Sequence, residues 1–147
     1  MNGYKSKTFA TWIALVGGGL GLHRFYLHGL RDVWGWLWWL PTLAGVYGVE
    51  RVFRFGQDDQ LAWLLVPLLG VALSAAMLCG IVYGLTPDEQ WNTRFNPQGR
   101  THRAGWAVVI GVVISLLVGA TVLMSTIAFS GQRYFEYQIE EGRKISQ

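Results

Sequence analysis

The run Gly17-Gly18-Gly19-Leu20-Gly21-Leu22-His23-Arg24-Phe25-Tyr26-Leu27-His28-Gly29 lies between two apolar blocks and sets a glycine-rich surface against a compact basic and aromatic patch. The flanking blocks, residues 8–22 and 33–49, contain no Lys, Arg, Asp or Glu, and neither do residues 61–85 and 105–129. With 52% apolar and only 14% charged side chains over 147 residues, the chain is too apolar for an ordinary soluble domain. Helices are the expected solution, because a helix satisfies each backbone donor and acceptor inside its own segment.

The third and fourth blocks measure about 37 Å each as helix, enough for a ~30 Å hydrocarbon core with tilt. The first and second reach only about 22 and 25 Å. Extending the first through Phe25, Tyr26 and Leu27 repairs the deficit and brings His23 and Arg24 to the membrane boundary, where a guanidinium can snorkel to the headgroups. The expected architecture is therefore an all-α integral membrane protein of four transmembrane helices in two hairpins, 5–55 and 56–130. A polar loop at 86–104 and a C-terminal tail at 131–147 complete it. Lys5 and Lys7 before an apolar run also fit a cleaved signal peptide, but the second block follows so soon that a retained anchor fits better.

Tryptophans support this map. Trp12, Trp63 and Trp106 stand near block starts, and Trp34, Trp36, Trp38 and Trp39 crowd the start of the second, as in an aromatic belt at the water boundary. Pro41 removes a backbone donor and predicts a kink or widened turn there.

Helices in lipid associate through close approach at small residues. Ala72, Ala76, Gly80 and Gly84 recur every four residues in the third block, and Ala107, Gly111, Ser115 and Gly119 in the fourth. These ladders predict that the two helices pack on each other or that one meets a second copy. Gly17 and Gly21 offer a similar groove in the first block.

In the 86–104 loop, Thr86, Pro87 and Glu89 have the spacing of a capping box. Trp91 and Phe95 would then share a face of a short helix lying in the headgroup layer, ended by Asn96-Pro97. Arg94, Arg100, His102 and Arg103 make this loop positive and suit it to anionic lipid rather than nucleic acid, since no folded basic module is present. In the tail, Phe135 and Ile139 predict a short amphipathic helix.

Gly18-x-x-Gly21-x-His23-Arg24-Phe25-Tyr26-Leu27-x-Gly29 between paired apolar blocks resembles the two-transmembrane (TM-two) domain family over residues 5–55. The resemblance implies two closely spaced helices, an Arg-Phe pair at the start of their loop, and an acidic residue after the second helix, a place held here by Glu50. The family more often has Asp there, and His28 stands where glycine is usual. No enzymatic chemistry comes with the family.

If both blocks cross, Arg24 and Glu50 lie on opposite faces, so Asp32 is the nearer partner for Arg24, with a lipid phosphate as the alternative. Lys5, Lys7, Arg51 or Arg54 can serve Glu50. Four crossings put Lys5, Lys7, Arg51, Arg54, Arg133, Arg143 and Lys144 on one side against Arg24, Arg31, Arg94, Arg100 and Arg103, which places both termini in the cytoplasm.

Catalytic, metal and cofactor sites are not expected. His23, His28 and His102 lack metal-ligand spacing, Cys79 lies mid-block as a packing thiol, and Ser74, Ser115 and Ser125 have no base nearby in sequence. The blocks carry no carboxylate or lysine to mark a proton or ion path. The expected role is a non-enzymatic binding or accessory subunit of a cell membrane, with the bacterial inner membrane favoured, contacting lipid or a protein partner. The alternative is a homo-oligomeric channel or small-solute pore.

Overall fold

The computed structural model describes residues 4–145, and among them every regular element is helical. Helix α1 spans Lys7–Gly17, α2 Leu22–His28, α3 Val33–Leu37, α4 Trp39–Phe55, α5 Gln60–Leu85, α6 Asp88–Phe95 and α7 Trp106–Ile145. Taken as single helices among the described residues, only α5, with 26 residues, and α7, with 40, are long and apolar enough to cross a membrane. Just 28% and 17% of their most apolar windows are buried in the chain. A core helix of a water-soluble protein would be mostly covered; these helices turn their leucines and valines outward.

The expected four crossing helices are not found. The first apolar block is a hairpin rather than a span: α1 stops at Gly17, a 3-10 turn covers Gly18–Leu20, and Gly21 adopts the left-handed conformation at φ 69°. The chain then reverses, and α2 returns along α1. Ser6 N–H donates to the Tyr26 hydroxyl at 2.8 Å, and the Phe9 and Tyr26 rings meet edge to face with centroids 5.0 Å apart. Gly17 and Gly21 thus form a turn and not the packing groove expected of them. A Cβ at Gly21 would lie 2.7 Å from the Gly35 carbonyl oxygen, so both the left-handed backbone and the space demand glycine.

The second block is continuous in direction but broken at Trp38. Pro41 has no N–H to offer the carbonyl four residues earlier, and α3 ends at that residue, Leu37. Together residues 33–55 run about 34 Å as helix. The expected separate tail is absent too, since α7 continues without interruption to Ile145.

The small-residue ladders are used within the chain. A Cβ at Gly119 would sit 2.8 Å from the Met77 Cβ, and one at Gly80 would sit 3.1 Å from the Ser115 hydroxyl, so α5 and α7 approach through these positions. Ala72, Ala76 and Gly80 are buried, as are Gly111, Ser115 and Gly119. Gly84 meets Val112 and Val108. Ala107 is exposed and takes part only through its carbonyl, which accepts from Trp12 Nε1 at 3.1 Å. Helix α1 lies over the same stripe, with Thr11 facing Gly80, Gly84 and Gly111, and Gly18 meeting Ala76. A second pair, Gly45 and Gly48 on α4, lets α5 approach at Leu69 and Leu65; the spacing of four used to find the ladders passes over it.

These contacts define two ends. Lys7 meets Thr86 and Asp88, so the N-terminal segment, the α2–α3 corner and the 86–104 loop gather at one, called here the cap. Arg51, Asp59, Gln57 and Arg133 gather at the other. Residues 5 and 7 therefore lie on the same end as Arg24 and Arg94, against the expectation that the first block separates them, and the C-terminal part of α7 lies at the far end.

Candidate functional site

The cap is built on the backbone of Lys5 and Ser6. Lys5 N–H donates to Asn96 Oδ1 at 2.7 Å, while its carbonyl accepts from Trp91 Nε1 at 2.9 Å and from Asn96 Nδ2 at 3.0 Å. Asn92 closes the loop on itself, accepting from His102 N–H and donating to the His102 carbonyl. Lys7 is buried, with its ammonium on Asp88 Oδ1 at 2.5 Å and on the Thr86 carbonyl at 2.8 Å. Asp88 also accepts from Ala104 N–H, and these two partners hold its carboxyl below the usual range, the Lys7 hydrogen bond contributing most. Burial lowers the His102 imidazole from its ordinary value of 6.5.

Two expectations for this loop are corrected. Thr86 does not cap α6; its hydroxyl donates back to the Val82 carbonyl at 2.6 Å, and Pro87 occupies the N-cap position without a side-chain bond. Trp91 and Phe95 do share a face, with ring centroids 4.6 Å apart, and α6 does end at Phe95. Trp91, however, is only 1% exposed, packed with Ala10 and Leu27 in the core, so α6 is seated on protein rather than spread in a headgroup layer.

Each residue of the glycine and aromatic motif has a place. Gly18 meets Ala76 at the tip of the hairpin. The His23 ring is fully buried against Trp38, 5.3 Å away edge to face, and Tyr83, and neither ring nitrogen has a hydrogen-bond partner. Arg24 grips Asp32 with two nitrogens, Nε to Oδ2 at 2.7 Å and Nη2 to Oδ1 at 3.3 Å, as the spacing predicts. That contact raises Arg24 and lowers Asp32 from their ordinary values. Asp32 also accepts from Trp34 N–H, capping α3. The Phe25 ring occupies the space where a Cβ at Gly35 would lie. Tyr26 joins α1, Leu27 enters the core, and Gly29 at φ 85° ends α2. Glu50 stands at the far end on Arg54, 2.5 Å away, remote from the motif.

Between α2, the last turn of α5 and α6 lies a cleft of about 330 Å³. Arg24, His28, Tyr83, Gln90 and Arg94 supply its polar lining, Leu27, Val82 and Phe95 its apolar lining, and no carboxylate borders it. Arg94 lies 5.4 Å from the Phe95 ring centroid and has no carboxylate partner among the described residues. Sequence reasoning found Arg24 and Arg94 separately; what it lacked was the reversal at Gly21 that places them on one cleft.

Charge is segregated between the two ends. The cap holds seven cations (Lys5, Lys7, Arg24, Arg31, Arg94, Arg100, Arg103) against three carboxylates (Asp32, Asp88, Glu89). The far end holds five cations (Arg51, Arg54, Arg133, Arg143, Lys144) against six carboxylates (Glu50, Asp58, Asp59, Glu136, Glu140, Glu141). No group of three His, Cys, Asp or Glu side chains among the described residues is placed to hold a metal, and Cys79 is half-buried within α5. No family model matches this chain, and no curated protein or solved structure matches it at a significant level.

Proposed function

We propose that the chain is a multi-pass integral membrane protein that acts as a non-enzymatic binding or accessory subunit, with the cap as its contact surface for anionic lipid or a membrane protein partner. The observation that carries this reading is the charge segregation, because an end with seven cations and three carboxylates is drawn to anionic headgroups and to acidic partners. Three crossings serve the structure better than four: residues 33–55, α5, and the apolar part of α7, with α1 and α2 as a re-entrant hairpin. Non-helical backbone at depth is tolerated where protein covers it, and Gly18 and Gly19 are buried against α5.

The excess of cations on short segments supports a cytoplasmic cap, with the C-terminus outside. The resemblance to the TM-two family implies two closely spaced membrane helices over residues 5–55, and this reading departs from it by giving that stretch one crossing and a re-entrant hairpin. The pore alternative would need subunit contacts along the small-residue ladders, and apart from the exposed Ala107 those residues are occupied by contacts within one chain.

Gentle extraction of the tagged protein from its membrane, followed by native mass spectrometry, tests the binding role. Wild type should retain anionic lipid or a defined partner, and a variant with Arg100→Glu and Arg103→Glu should lose it. Recovery of bare protein from both, or identical complexes from both, would overturn the role assigned to the cap.

A further inference from the structure

Inside the cap, the cleft between α2, α5 and α6 has a chemistry of its own. Its lining offers two guanidiniums, an imidazole, a side-chain amide and a phenol, and no carboxylate. Asp32 already accepts from Arg24 and Trp34 and lies 4.0 Å from His28, so of the two lining guanidiniums Arg94 is the one without a carboxylate partner among the described residues. A planar fork of donors suits a tetrahedral anion with several oxygens. Its surroundings argue for an amphiphile rather than a free ion: Val82 and Thr86 line the cleft where the apolar run of α5 ends, and Val82 and Leu85 on that helix are 54% and 68% exposed. A phosphate seated among the cations would leave an acyl chain lying along this apolar flank.

We infer that this cleft binds the phosphate of an anionic phospholipid, with Arg94 as the principal contact, His28 and Gln90 as further donors, and Arg24 held in place by Asp32. The inference rests on the cap being the contact surface and names one ligand for it. Arg94 is exposed and makes no internal ion pair, so its replacement leaves the hairpin and the core intact.

The test is lipid binding by the full-length protein in nanodiscs of phosphatidylcholine doped with phosphatidylglycerol, read by native mass spectrometry and by displacement of a fluorescent phosphatidylglycerol. Arg94→Ala should weaken phosphatidylglycerol binding about tenfold, the loss of one charge-assisted contact, while Arg54→Ala, at the far end on Glu50, changes it less than about twofold. His28→Ala should weaken it in the same direction, and inorganic phosphate at millimolar concentration should not displace the lipid. Equal binding by wild type and Arg94→Ala, or no preference over phosphatidylcholine, would overturn the assignment. Displacement by inorganic phosphate would overturn the lipid and leave a soluble phosphate compound. Should phosphatidylglycerol show no preference while Arg100→Glu with Arg103→Glu still strips a protein partner, the cleft inference falls and the cap reading stands.

Discussion

The Lys5 ammonium donates to the carbonyl of Tyr26, joining residues that a membrane-crossing first helix would hold on opposite faces. The ring of Tyr26 lies under the same ammonium, 4.8 Å from its centroid, and the Tyr26 hydroxyl accepts from Ser6 N–H. The N-terminal block is thereby closed into a hairpin whose tip reaches Leu73, near the middle of α5.

The turn at that tip depends on Gly21. Replacing it with alanine forces a side chain into φ 69° and against the Gly35 carbonyl, so Gly21→Ala should destabilise the protein by about 2–4 kcal/mol. Gly99 has no positive φ and nothing lies within 4 Å of a Cβ there, so Gly99→Ala should change stability by less than about 0.5 kcal/mol. Unfolding in mixed micelles followed by tryptophan fluorescence compares the two, and equal losses would contradict the tight turn.

Acid should loosen the cap in two stages. Tyr4 Oη lies 2.7 Å from His102 Nδ1, and burial lowers the imidazole pKa, so the folded state binds a proton less readily than the unfolded chain. Stability from this group is present above 6.5 and falls as pH drops below that value. Asp88, whose pKa is also lowered, adds a second loss once pH falls below its ordinary 3.8. Corrected for the intrinsic pH dependence of amide exchange, the opening of residues 86–104 should rise from pH 7 to pH 5 in wild type and stay flat in His102→Gln; a pH-independent opening in wild type would contradict this account.

Asp88→Asn leaves the ammonium of Lys7, 4% exposed, without its counter-charge. The loss should be about 2–4 kcal/mol, below that of a wholly enclosed pair because Asp88 itself is 35% exposed. Lys7→Met combined with Asp88→Asn should recover part of it, and a double variant worse than the sum of the singles would contradict the pairing.

Widening Gly119 to leucine drives a side chain into Met77 and should lower stability by about 1–3 kcal/mol in a monomeric detergent complex. Gly131→Leu on the same helix, where a Cβ meets nothing within 4 Å, should leave stability unchanged. Thermal shift combined with multi-angle light scattering separates these effects from any change in assembly. Loss of oligomers with no loss of stability would favour contacts between copies.

Much of this arrangement can be read from residue patterns alone. Helical content, the two long apolar helices, the Arg24–Asp32 pair, the shared face of Trp91 and Phe95 and the small-residue ladders all depend on local spacing. The reversal at Gly18–Gly21 does not show in hydropathy, because a hairpin buried against α5 and a crossing helix need the same apolar residues. The clustered glycines are its one local signal, since Gly21 needs a left-handed backbone. Burial of Lys7 escapes detection for another reason: its partners, Thr86 and Asp88, are brought to it only after the hairpin and α5 have packed.

If the first apolar block turns back within the membrane as proposed, the chain makes an odd number of crossings and its termini lie on opposite sides. In a Cys79→Ser background, single cysteines at Tyr4, Gly99 and Gly142 can be labelled with a membrane-impermeant maleimide from each side of the membrane. Positions 4 and 99 should label together from one side and position 142 from the other. Labelling of 4 and 142 from one side, with 99 on the opposite, would establish an even number of crossings and contradict the three-crossing arrangement.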